Sequence, residues 1–225
     1  MINDIENKNS QKVMSDLEYA KNDTEMMRYR VNGLSYKLGL AAMICSLLGA
    51  FICLNSYSPR DFQVIMIIIL NIIILLGGFL CAEKVKNYNK AGAIGQIVFG
   101  AVCIGRIFYV PVILMVQFSK FMEANDWLAY YNGLKREEQR KLKDTLEQMN
   151  TLRSESSNYL GQTITSYYNS NRYANAFLPA NGYFRGISAM VLFGCAAALF
   201  IVAGIIGYQR AKKLRTYLDS INVKN

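Results

Sequence analysis

Four long apolar stretches, separated by polar segments, constrain this chain more than any other feature of its sequence. They cover residues 38–54, 64–82, 91–118 and 186–209. The hydrocarbon core of a membrane is about 30 Å thick, and a helix needs roughly 20 apolar residues to cross it. None of the stretches keeps the polar face that a helix of a soluble domain shows. The sequence therefore predicts an all-α integral membrane bundle of about four transmembrane helices, with amphipathic helical tails and an outer helical segment.

The third stretch is long for a single span and contains Pro111. Proline lacks a backbone N–H and commonly kinks or ends a helix. The helix is therefore expected either to kink and continue to about Phe118 or to leave the membrane at Pro111.

Basic residues beside the apolar stretches predict the orientation of the chain. Short cytoplasmic flanks of membrane helices carry an excess of Lys and Arg. The link between the first two stretches has Arg60 as its one basic residue, whereas the other short flanks are basic. Their basic residues are Arg28, Arg30, Lys37, Lys84, Lys86, Lys90, Arg210, Lys212, Lys213 and Arg215. Both termini are therefore expected to be cytoplasmic, in a multi-pass protein of the cell membrane.

This orientation divides the chain into five segments. Residues 1–37 form a cytoplasmic amphipathic tail, and residues 38–118 contain transmembrane helices 1–3. Residues 119–185 form an extracytoplasmic helical and Tyr/Asn-rich loop, residues 186–209 the fourth transmembrane helix, and residues 210–225 a basic cytoplasmic tail. In that last tail Arg210, Lys212, Lys213 and Arg215 are candidate contacts to an anionic inner leaflet.

The N-terminal tail carries a stripe of mostly apolar residues at alternating spacings of four and three. Such spacing is typical of a coiled-coil face, although an amphipathic helix on the lipid surface has a similar pattern. The stripe consists of Val13, Leu17, Ala20, Thr24, Met27, Val31 and Leu34. Val13, Leu17, Met27 and Val31 are the candidate contacts to a partner or to a second copy of the chain.

The outer segment has two parts. Asn132-Gly133 predicts a helix break, and the charge-rich residues 134–152 after it predict an exposed helix. Residues 156–184 are rich in Asn, Ser and Tyr. That composition occurs at binding surfaces, but it also follows the overall Asn- and Tyr-rich composition of the chain, which is the favoured interpretation.

Arg106 is the charged residue placed well inside an apolar stretch. A charge in hydrocarbon is costly, so Arg106 is expected either to bind an anion or lipid headgroup within the bundle or, as slightly favoured, to extend to the interface beside Tyr109. Asn71 and Gln96 lie inside the second and third stretches, and each is expected to form hydrogen bonds between helices.

Catalytic chemistry has little support in the sequence. The chain has no histidine, the apolar stretches contain no Asp or Glu, and no nucleophile or phosphate-binding motif occurs. All five cysteines lie in the apolar stretches and are interpreted as small packing residues. No cofactor and no nucleic acid are expected.

These features favour a non-catalytic subunit or adaptor that assembles with a protein partner or with copies of itself. The alternative is a small oligomeric channel or transporter whose path passes Arg106.

Overall fold

The computed structural model describes residues 21–57, 62–161, 163–164 and 182–222, which are largely helical and contain no strand. Four helical runs within them are long and apolar enough to cross a membrane: Gly33–Leu54, Val64–Lys86, Lys90–Gly133 and Gly182–Ile221. The predicted all-α membrane bundle is confirmed. The helices are α1 (Gly33–Leu54), α2 (Phe62–Lys86), α3 (Lys90–Tyr109), α4 (Pro111–Gly133), α5 (Arg136–Lys141), α6 (Lys143–Tyr159) and α7 (Gly182–Asn222).

The spans form a four-helix bundle in the order α1, α2, α3, α7. Helix α7 packs along both α1 and α3, and α2 packs on the same two helices from the other side, with little contact to α7. The outward faces remain apolar, as Ile69, Ile72 and Leu76 of α2 illustrate. Such exposure suits a surface covered by lipid chains, which are as apolar as the side chains themselves.

Glycines allow α3 and α7 to approach closely. A Cβ built at Gly100 would lie 3.1 Å from the carbonyl oxygen of Ala197, and one at Gly204 would lie 2.7 Å from that of Ala93. Backbone atoms cannot move aside as a flexible side chain can. These two glycines therefore permit the α3–α7 contact.

The expected irregularity at Pro111 is confirmed. Helix α3 ends at Tyr109, Val110 forms the break, and Pro111 begins α4. Proline is tolerated at the first helical position because that N–H has no intrahelical acceptor. Helix α4 then continues beyond Phe118 to Gly133, where Asn132-Gly133 ends it as predicted.

The outer segment begins with a helical hairpin. The exposed helix predicted over residues 134–152 is present as α5 and α6, with an interruption at Leu142 and an end at Tyr159. Helix α6 packs back on α4. We call residues 119–160, which contain seven basic and seven acidic side chains, the polar hairpin.

The N-terminal stripe does not form one helix. Residues 21–26 are helical, residues 27–29 form a turn, and α1 begins at Gly33. The prediction of a continuous helical face through Val31 and Leu34 is therefore wrong. The Asn32 N–H donates to the carbonyl oxygen of Lys86 at 3.0 Å and so holds the chain at the entry to α1.

Val13 and Leu17 lie outside the described residues. Partner contact through Met27 and Val31 stays a prediction, and Val31 is exposed. The helical tail predicted after the fourth span is confirmed, because α7 continues without a break to Asn222.

Candidate intramembrane polar site

Arg106 joins all four spanning helices at one point. Its side chain lies inside the bundle and is only 2 % exposed. Nη1 donates to Ser46 Oγ of α1 at 3.0 Å, and Nη2 donates to Asn71 Oδ1 of α2 at 3.1 Å. The guanidinium carbon lies 4.3 Å from the centre of the Phe193 ring of α7, within the range of a cation–π contact. We call Ser46, Asn71, Arg106 and Phe193 the arginine cluster.

The expectation that Arg106 extends to the interface beside Tyr109 is wrong. Tyr109 is 48 % exposed on the outer surface and takes no part in the arginine cluster. A guanidinium extends toward water when the bundle offers it no acceptors. Here Ser46 and Asn71 provide acceptors inside the protein, which a linear sequence does not reveal.

The polar partners of Arg106 are neutral. Its two hydrogen-bond acceptors are a hydroxyl and an amide, and its Nε has no partner among the residues that the structure describes. Removing a charge from water costs several kcal/mol before compensation. The arginine cluster therefore holds a cation whose charge no described carboxylate neutralises.

The two intramembrane amides differ in their environments. Asn71 forms the hydrogen bond predicted between helices, through its contact with Arg106. Gln96 does not, because its Oε1 and Nε2 are buried and have no partner within the described part of the chain. A Cβ at Gly39 of α1 would lie 2.5 Å from Gln96 Nε2, so the amide packs tightly against a glycine backbone.

Polar contacts at the hairpin end of the bundle were missed by sequence reasoning. Arg185, at the start of α7, is 4 % exposed and donates to the carbonyl oxygen of Asn55 at 3.0 Å. The Tyr57 hydroxyl donates to the carbonyl oxygen of Val110 at 2.7 Å. Arg185 directly precedes the apolar stretch that begins at residue 186. This position is the sequence feature that could have indicated a contact at the end of the span. The sequence around Tyr57 does not indicate its hydrogen bond, since the acceptor is far away in sequence.

At the opposite end, one of the four predicted lipid contacts has a partner within the bundle. Arg210 is half-buried and donates to Asn32 Oδ1 at 2.8 Å. Lys212, Lys213 and Arg215 are exposed on the continuation of α7. Their contact with an anionic leaflet stays a prediction.

Among the described residues, no three His, Cys, Asp or Glu side chains lie close enough together to hold a metal ion. Comparison of the chain with protein families, with curated proteins and with solved structures found no match. The fold and the site together define a four-helix membrane bundle with an arginine buried between its helices.

Proposed function

We propose that the protein is a non-catalytic membrane subunit or adaptor that assembles with a partner protein or with copies of itself. The observation that carries this proposal is the extension of two helical elements beyond the bundle at opposite ends. The polar hairpin extends at one end, and α7 continues to Asn222 at the other. Both carry exposed polar side chains, such as Gln148 of the polar hairpin and Lys213 of α7.

The closed centre of the bundle supports an assembly role over transport. An ion path needs a continuous polar passage along the axis of the bundle. Arg106 is instead held by Ser46 and Asn71 and covered by Phe193. Large apolar residues are fully buried in the two core clusters of the bundle, among them Phe200 and Phe118.

In the proposed orientation, the protein lies in the cell membrane and both of its termini are in the cytoplasm. Residues 21–37, 83–90 and 210–222 form one end of the bundle, and they hold eleven basic and four acidic side chains. The polar hairpin at the other end has no excess of either charge. The positive-inside tendency of membrane proteins favours the basic end as the cytoplasmic one.

Site-specific photocrosslinking of the full chain in its native membrane tests the assembly role. A photoreactive residue is introduced at exposed Gln148 of the polar hairpin or at exposed Lys213 of α7, with exposed Ile69 in the span as the matched control. We expect a discrete protein adduct from the first two positions and none from Ile69. Differently tagged copies distinguish self-assembly from a partner. The absence of any protein adduct from Gln148 and Lys213 would contradict the proposal.

The alternative function is an oligomeric channel or transporter with a path past Arg106. Anion flux into liposomes is measured for the parent, Arg106→Lys and Arg106→Leu. Flux that is present in the parent, reduced in Arg106→Lys and lost in Arg106→Leu would favour the channel. We expect none of the three to exceed protein-free liposomes.

A further inference from the structure

A cavity of about 220 Å³ lies between α2 and α3, next to the arginine cluster. Met66 and Leu70 of α2 and Val102 of α3 form apolar walls, and Arg106 is also among the residues that line the cavity. Pockets for drug-sized molecules typically measure ~300–1,000 Å³. This cavity therefore suits a smaller or thinner body, such as one hydrocarbon chain.

Gly105 has no side chain that could occupy the cavity between α2 and α3. A Cβ built at this position would meet no atom within 4 Å, so a larger side chain could enter the cavity without a clash. Met66 and Tyr109, which also line the cavity, are 37 % and 48 % exposed on the outer face of the bundle. The cavity consequently opens sideways, toward the surface that lipid covers, rather than along the axis of the bundle.

The buried charge beside the cavity indicates which kind of molecule would bind there. Arg106 is buried, its hydrogen-bond acceptors are neutral, and its Nε has no partner in the described residues. Apolar walls favour a hydrocarbon body, whereas an incompletely satisfied guanidinium favours an oxyanion. Both preferences are met by an amphiphile that carries a carboxylate or phosphate at one end of an acyl chain.

The depth of Arg106 agrees with this ligand class. At about 1.5 Å per residue, Arg106 lies about 24 Å along α3 from Lys90 at the basic end. In a hydrocarbon core of about 30 Å this is near the opposite boundary, where the head groups of the other leaflet begin. An acidic amphiphile of that leaflet could reach Arg106 with its head while its chain stays among apolar side chains.

We propose that the cavity between α2 and α3 binds an acyl-chain amphiphile with an anionic head group, held by charge-assisted hydrogen bonding to Arg106. The site is independent of the proposed assembly role, so either proposal can fail without the other.

The test uses the full chain in nanodiscs of neutral phosphatidylcholine at pH 8.5. The probes are a photoreactive fatty acid and the matching fatty alcohol, and labelled peptides are located by mass spectrometry. Gly105→Leu fills the cavity without changing Arg106. Cys195→Leu, at an exposed position of α7, is the matched control for an added leucine in the span.

We expect the acid to label α2 and α3 about tenfold more than the alcohol does, as one charge-assisted hydrogen bond would give. Labelling by the acid should fall to the level of the alcohol in Gly105→Leu and Arg106→Leu and remain unchanged in Cys195→Leu. Equal labelling by acid and alcohol, or full labelling of Gly105→Leu, would overturn the proposal. Thermal unfolding is also measured with inorganic phosphate and with the fatty acid. Equal stabilisation by the two would indicate that the site binds a small free anion, and that result would also overturn the proposal.

Discussion

Arg106 and Gln96 lie on the same helix, and both are buried, but they differ in what surrounds them. Arg106 reaches acceptors on α1 and α2, whereas neither amide atom of Gln96 has a partner among the described residues. An unsatisfied buried polar group costs more than a satisfied one contributes. Two buried polar side chains of one helix therefore differ in how fully their polar atoms are hydrogen-bonded.

The first prediction concerns the hydrogen bond between Asn71 and Arg106. Asn71→Leu should lower the free energy of unfolding by about 1.5–3 kcal/mol, because it leaves a buried cation with one acceptor fewer. In the double variant with Arg106→Leu, this loss should largely disappear, since no cation then needs the acceptor. Thermal unfolding in detergent of the parent, both single variants and the double variant measures the coupling. Additive effects of the two substitutions would show that the hydrogen bond contributes nothing.

Gln96 gives the matching prediction of opposite sign. Gln96→Met keeps an unbranched side chain of similar size and removes two unsatisfied polar atoms, so the protein should become more stable by about 1–3 kcal/mol. The same thermal unfolding measurement applies, with Asn71→Leu as the comparison that removes a satisfied amide. A lower unfolding temperature for Gln96→Met would mean that Gln96 has a hydrogen-bond partner in the folded protein.

At the scale of elements, the contact of α7 with α3 depends on the absence of side chains. Gly204 of α7 lies so close to the Ala93 carbonyl that even a methyl group has no space, whereas at Gly194 of the same helix the nearest atom to a built Cβ is 4.0 Å away. Gly204 and Gly194 therefore differ in packing: Gly204 lies against the backbone of α3, whereas Gly194 has space for a methyl group.

These two positions provide a matched pair of variants. Gly204→Ala should destabilise the bundle by about 1–3 kcal/mol, because α3 and α7 must separate. Gly194→Ala should be neutral or stabilising by up to about 1 kcal/mol, since alanine favours the helix and meets no obstacle. Unfolding temperatures in detergent give the order of stability. Equal values for the two variants would argue against close packing at Gly204.

At the scale of the whole molecule, charge is distributed unevenly between the two ends of the bundle. At the basic end, Asn32 forms hydrogen bonds with Lys86 and with Arg210. The polar hairpin lies at the other end. An asymmetric bundle of this kind has one preferred orientation in a membrane.

Cysteine labelling of intact cells tests that orientation. In a variant without the native cysteines, a cysteine is introduced at Gln148 of the polar hairpin or at Asn87 between α2 and α3, both of which are exposed. A membrane-impermeant reagent should modify the first and leave the second unmodified until the cells are opened. Labelling of Asn87→Cys in intact cells, with Gln148→Cys protected, would reverse the proposed orientation.

The sequence by itself determined the number of spans, the helix break at Pro111 and the helix end at Asn132-Gly133. These features depend on local properties: the length of an apolar stretch, the missing N–H of proline and the turn preference of Asn-Gly. For the same reason it identified Arg106, Asn71 and Gln96 as polar residues inside the spans, although it did not identify Ser46 as a partner of Arg106.

Only the tertiary structure decided what those groups contact. Whether Arg106 turns inward depends on Ser46 and Asn71, which are distant in sequence and come close only when α1 and α2 pack against α3. Gln96 has the same chemistry as Asn71 but faces a glycine of α1 instead of a donor or an acceptor. A hydrogen bond between helices depends on the rotation and register of both, and those are fixed by packing over their whole length rather than by the residues next to the polar group.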